Sequence, residues 1–137
     1  MDYLPPPERP GFDEALETLT ETPGVRAAVV AAEDGLPIAM RLQSDQDGEM
    51  WAAVASSMGR LAQRVLKRLA RGSLEVGVFD TDRYRFLVCP LRVGFLLAVC
   101  EPQANVGLVT LEMQAAATAL ETATEAMADG ARIAPAE

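Results

Sequence analysis

The stretch from about Asp47 to Arg71 contains no proline and repeats its apolar residues with a period of 3.6, so one long helix must be built into any fold of this chain. At 100° per residue, Trp51, Ala55, Met58, Ala62, Val65 and Leu69 fall on one side with Val54 and Leu61, and Ala52, Gly59, Leu66 and Ala70 widen that side. The apolar or small arc covers roughly half the cylinder, more than the ~100° stripe that a single contact requires. One edge is bulky (Val54, Leu61, Val65) and the other small (Ala52, Ser56, Gly59). The expectation is that the bulky edge packs on the chain's own sheet and the small edge on another helix. Gln43 to Asp47 offers N-cap candidates, and Gly72-Ser73 supplies a stop.

The remaining elements follow from their punctuation. Phe12, Leu16 and Leu19 with Glu14, Glu17 and Glu21 between them describe a short amphipathic helix, ended by Pro23-Gly24. Val25 to Ala32 and Leu36 to Leu42, separated by the turn signal Asp34-Gly35, read as a hairpin. After the long helix, Leu74 to Asp80, Tyr84 to Cys89 and Val93 to Cys100 read as three meandering strands. Asn105 caps a last helix running from Val106 to about Met127. The predicted architecture is an α+β sandwich: a five-stranded antiparallel sheet, the long helix on one face, and the N- and C-terminal helices on the other. The predicted domain spans residues 11–128. Residues 1–10, with four prolines, read as a flexible lead-in, and residues 129–137 as a frayed end.

Both terminal helices are needed on the far face, so no helix of this chain is free to cover the small edge of the long one. A symmetry mate would cover it, giving a twofold homodimer. Opposite the apolar arc, Arg60 to Arg71 holds five bases (Arg60, Arg64, Lys67, Arg68, Arg71) and no acid, while Val93 to Gly130 holds five acids and no base. This basic stripe reads as a docking surface for an acidic partner, set against a plain solvated helix face.

Composition removes most catalytic chemistry. There is no histidine, which excludes a Ser-His-Asp triad, a His general base and His-containing metal sites. Cys89 and Cys100 are too few for a thiolate zinc site and too far apart for a C-x-x-C motif, and read as buried apolar residues. No phosphate-binding glycine loop, H-E-x-x-H or G-x-S-x-G occurs. Gly107, near a helix N-terminus, is read as a close helix–sheet approach, and Asp80 and Asp82 as turn residues. A net charge of −8, from 12 Lys+Arg against 20 Asp+Glu, speaks against nucleic acid. With no signal-peptide pattern and no bilayer-length apolar run, the expectation is a cytoplasmic protein with no membrane, metal or cofactor role. The residues alone predict a binding or scaffold domain, not an enzyme.

Several segments carry a resemblance. Glu33-Asp34-Gly35-Leu36-Pro37-Ile38-Ala39, Glu49-Met50-Trp51-Ala52-Ala53-Val54-Ala55-Ser56-Ser57-Met58, and above all Ala104-Asn105-Val106-Gly107-Leu108-Val109-Thr110-Leu111-Glu112-Met113 with Ala115-Ala116 are similar to the Roadblock (dynein light-chain) family in its prokaryotic, MglB-like branch. The resemblance covers about residues 12 to 127. It implies a homodimer that pairs central helices and third strands into one continuous sheet. On this chain that interface falls on Trp51, Ala52, Ala55, Ser56, Gly59, Ala62 and Gln63 of the helix and Leu74, Val76 and Val78 of the strand. It also implies a non-catalytic regulator or scaffold of a small Ras-like GTPase, and with the basic stripe read above the docking residues are expected to be Arg60, Arg64, Lys67 and Arg68. A ligand-sensing or purely structural dimerisation module is the alternative.

Overall fold

The structure, a computed structural model, describes residues 11–43 and 46–133. The proline-rich lead-in at 1–10, the cap candidates Ser44 and Asp45, and residues 134–137 lie outside the described residues. The element order is α1 (Phe12–Thr20), β1 (Val25–Ala32), β2 (Pro37–Leu42), α2 (Gly48–Leu69), β3 (Gly77–Asp80), β4 (Arg85–Leu91), β5 (Gly94–Cys100) and α3 (Val106–Ile133). The five strands form one antiparallel sheet in the order β2-β1-β5-β4-β3.

Strand alternation divides the core into two layers. Val25, Ala28 and Val30 of β1, Leu87, Cys89 and Leu91 of β4, and Leu96, Ala98 and Cys100 of β5 pack under α1 and α3 with Phe12, Leu16, Leu19, Val109, Met113 and Leu120. Their neighbours Ala27, Val29, Ala31, Phe86, Val88, Phe95, Leu97 and Val99 pack under α2 with Trp51, Ala52 and Ala55. β1 and β5 are apolar on both faces because a helix layer lies on each side. The α+β sandwich expected from the sequence is the fold that forms.

Two boundaries and one packing contact differ from expectation. The third strand is only Gly77–Asp80, and Leu74 to Val76 are irregular. Its ladder stops at the pair Gly77↔Val88. Continuing the register would set Glu75 opposite Pro90, which has no N–H to donate. The last helix passes Met127 and runs to Ile133. Gly130 lowers helix propensity by about 1 kcal/mol, too little to end a helix already propagating through alanine-rich sequence. Gly107 is exposed, and a Cβ there would meet nothing closer than Asn105 Oδ1 at 3.4 Å, so it marks no close approach to the sheet.

The cap of α2 falls to Asp47, whose carboxylate accepts the Met50 N–H at 3.2 Å. Beside it, Trp51 Nε1–H donates to Gln46 Oε1 at 2.8 Å. The helix closes on Ala70 in the left-handed conformation, with φ 55°. Asp47→Ala is expected to cost about 1 kcal/mol and a few degrees of Tm, read by thermal circular dichroism.

Candidate functional site: the α2 surface and the β3 edge

The orientation of α2 reverses one expectation. The small edge faces the chain's own sheet. Ala52 and Ala55 are fully buried, Ser56 and Trp51 nearly so, and a Cβ on Gly59 would stand 2.4 Å from the Phe95 ring. The cause lies in the sheet, which presents Phe95, Leu97, Val29, Val88 and Val99 to α2. With the bulk supplied by strands, the helix must supply small residues to reach packing distance. The bulky edge is the one left open: Leu61 and Val65 are 50% exposed and Leu69 60%, while Val54 and Met58 are half-buried at the margin of the core.

The residues expected at a dimer interface therefore divide. Within the single chain Trp51, Ala52 and Ala55 are buried against the sheet, Gly59 against Phe95, and Ser56 beside Gly35 of the β1–β2 turn. Ala62, Leu74 and Val76 are half-buried, and Gln63 and Val78 are exposed. These accessible residues adjoin the open ridge. Leu61, Ala62, Val65 and Leu66 face Leu74, Val76 and Phe79 across a groove of about 490 Å³. Among the described residues β3 is the last strand of the sheet and pairs only with β4, so its outer edge has no strand partner there. The apolar ridge and the groove lie beside the strand edge, with Ser73 and Glu75 completing the groove lining. The sequence held no separate signal for the ridge, since both edges of the apolar arc, Leu61 on one side and Ser56 on the other, border the basic stripe on the helical wheel.

The five bases from Arg60 to Arg71 are all exposed. Arg60 Nη1–H donates to the Glu33 carbonyl at 3.1 Å, tying the β1–β2 turn to α2. Among the described residues Arg64, Lys67, Arg68 and Arg71 have no acidic partner. Ion pairs instead hold Arg26 to Glu101, Arg41 to Glu17, Arg85 to Asp80 and Arg92 to Glu125. The row is an uncompensated positive stripe on an acidic molecule. Asp80 and Asp82 flank the β3–β4 turn, where Asp80 holds Arg85.

Cys89 and Cys100 are free and buried. They sit in adjacent strands but pair with Leu96 and Arg85 respectively, not with each other. Burial pushes the Cys89 thiol up to about 12, helped by Glu121, and the Cys100 thiol up to about 11 against the pull of Arg85. In the unfolded chain both would ionise near the ordinary thiol value. Folding thus favours the protonated form: its contribution is complete below about pH 9 and is lost as pH rises toward 11 and 12. The midpoint of urea unfolding should fall between about pH 8 and about pH 10.5, and fall less in a Cys89→Ala/Cys100→Ala variant. Among the described residues no group of three or more His, Cys, Asp or Glu side chains is placed to hold a metal ion, and no helix is long and apolar enough to cross a membrane.

A five-stranded antiparallel sheet of this order, with one long helix on one face and two terminal helices on the other, is a Roadblock fold. Residues 11–101 match the Roadblock/LC7 domain, and the chain belongs to that family. An uncharacterized protein of Methanocaldococcus jannaschii is 29% identical over 106 residues, which cover 77% of this chain and 93% of that protein. Among solved structures, Myxococcus xanthus MglB superposes with a TM-score of 0.78 at 14% identity, covering 88% of this chain and 99% of MglB. The gliding protein MglB of Thermus thermophilus superposes with a TM-score of 0.74 at 19% identity, covering 91% of this chain and 98% of that one.

Proposed function

We propose that this chain is a homodimeric, non-catalytic regulator or scaffold of a small Ras-like GTPase, acting in the cytoplasm. The observation that carries the dimer is the exposed Leu61–Val65–Leu69 ridge, with the groove and the β3 edge beside it. An open strand edge beside an exposed apolar ridge invites aggregation unless something covers it, and a second copy related by a twofold axis covers both at once. Pairing β3 with its mate would extend the sheet across the axis, and the ridges would pack beside it. This dimer keeps the helix and strand of the family arrangement but moves the helix contact to the bulky edge.

The GTPase reading is supported by membership in the Roadblock/LC7 family, by the likeness to MglB, and by the uncompensated row Arg60, Arg64, Lys67 and Arg68, which a dimer through the ridge would leave facing outward. The row would steer an acidic surface onto α2, an effect that falls with ionic strength. Histidine-free and without a phosphate-binding loop, the chain would act by docking to its partner's own catalytic apparatus.

The test is a pull-down from an extract of the source cells with immobilised protein, in GDP or in a non-hydrolysable GTP analogue. A small GTPase captured in one nucleotide state is the expected result, and its GTP turnover with and without this protein then separates activation from scaffolding. Arg64→Glu/Arg68→Glu should weaken capture about tenfold at low salt. Unchanged capture and salt dependence would remove the basic row from the mechanism. No GTPase in either state would favour a sensing or structural dimerisation module.

A further inference from the structure

Charge divides this molecule by face. The face covered by α2 carries Arg60, Arg64, Lys67, Arg68 and Arg71, and the only acid on that helix is Glu49 in its first turn. On the opposite face, α3 carries Glu112, Glu121, Glu125 and Asp129 with no base up to Asp129, and α1 adds Asp13, Glu14 and Glu17. Between α1 and α3 runs a groove of about 570 Å³, floored by Ala115, Ala116, Ala119 and Ala123 and flanked by Glu14 and Glu112. Glu17, Glu121 and Glu125 are engaged by Arg41 and Arg92. Glu14 and Glu112, like Arg64 and Lys67, have no charged partner among the described residues.

We infer that the α1–α3 groove is a docking site for the basic α2 row of a second copy of this chain, so that copies stack face to back. Length and chemistry both fit. The helical part of the row, from Arg60 to Arg68, spans ~12 Å and the groove runs ~21 Å along α3 from Glu112 to Ala126, at ~1.5 Å per residue. An alanine floor is shallow and apolar, and it suits the aliphatic stems of arginine and lysine, whose charged heads then reach the carboxylates at the rim. Two grooves placed face to face would set Glu14 and Glu112 against the same residues of the mate, so like charge disfavours that contact. The two complementary surfaces lie on opposite sides of the sheet. Their contact is therefore head-to-tail, it does not close on itself, and stacks lengthen with concentration. The overall charge of −8 opposes growth, but ~10 Å of screening at about 0.1 M salt leaves the local attraction intact. Stacking needs no GTPase. It would hide the row assigned above to GTPase docking, so the stacked and partner-bound forms would exclude each other.

The experiment is sedimentation velocity with light scattering on the purified full chain, at rising concentration in ~50 mM and ~0.5 M sodium chloride. The expected result is an average mass at least twice the high-salt value in low salt, reversed by adding salt. Glu14→Gln/Glu112→Gln and Arg64→Gln/Arg68→Gln should each hold the high-salt mass in low salt, with unchanged circular dichroism. An equimolar mixture of the two should regain a doubled mass and no more, because each variant keeps one competent face. A mass independent of salt, or an increase that survives in Glu14→Gln/Glu112→Gln, would overturn the proposal. Both readouts use this chain alone, so failure here leaves the nucleotide-dependent pull-down untouched, and the reverse holds too.

Discussion

Phe95→Ala is expected to lower the free energy of unfolding by about 3–5 kcal/mol, the usual cost of emptying a fully buried aromatic site. Phe95 is completely buried at the centre of the layer beneath α2, and its ring lies against the bare Cα of Gly59. Gly59→Ala should also destabilise. Helix propensity favours the alanine by about 1 kcal/mol. The new methyl would sit 2.4 Å from two ring carbons, and a ring wedged between helix and sheet cannot swing aside as a flexible side chain would. Overpacking of that kind costs about 1–3 kcal/mol, so the steric term wins. The informative measurement is the double variant. With the ring gone, the added methyl enters the vacated space, and Gly59→Ala/Phe95→Ala should be more stable than the sum of the single losses by at least ~1 kcal/mol. Urea unfolding of the four proteins measures that coupling. Additive losses would mean that helix and ring do not share the contact described.

The same pair of residues explains how much of this fold was legible in the sequence. Element types and order follow from local patterns. Asp34-Gly35 builds the β1–β2 turn, where the Asp34 carboxylate accepts the Leu36 N–H at 3.1 Å, and Asn105 Oδ1 accepts the Leu108 N–H at 3.0 Å at the start of α3. Two-residue periodicity in β1, β4 and β5 separates the two core layers. What local patterns do not contain is the partner of a surface. Gly59 reads as a site of close approach, and it is one, but whether it approaches another helix or a phenylalanine 36 positions later depends on which strand lies beneath it. The wide apolar arc of α2 is broad enough for two contacts, as its width suggests, but the edge turned to the sheet is the small one and not the bulky one. The length of β3 is set in the same non-local way, by the missing N–H of Pro90 on the neighbouring strand. The basic row was legible because charges declare exposure directly. The Leu61–Val65–Leu69 ridge was not, because exposed leucine and valine look identical in sequence to buried ones.

Leu61→Glu/Val65→Glu should convert the proposed dimer to a folded monomer, and it separates the two edges of α2 more sharply than any other change. Both side chains are 50% exposed in the single chain, so the fold loses little when they become charged, and glutamate is a good helix former. In the dimer both would be buried near the twofold axis, and each substitution would be felt twice. The dimer can cover only the exposed half of each side chain, so losing that burial removes about 0.8–1.5 kcal/mol apiece, and placing unpaired carboxylates in an apolar contact adds to this. Even a total of about 6 kcal/mol raises the dissociation constant about 10⁴-fold. Sedimentation at micromolar concentration should then show half the mass of the parent protein, with the far-ultraviolet spectrum unchanged. The residues of the small edge make the contrast. Gly59 and Ala52 are packed against the sheet, so enlarging either should reduce stability before it reduces association. A dimer that survives Leu61→Glu/Val65→Glu would place the interface away from the ridge. A monomer that keeps its fold would fix the ridge as the contact and leave the basic row on the outer surface, where the GTPase pull-down can be repeated on monomer and dimer to learn whether one copy or two are needed to hold the partner.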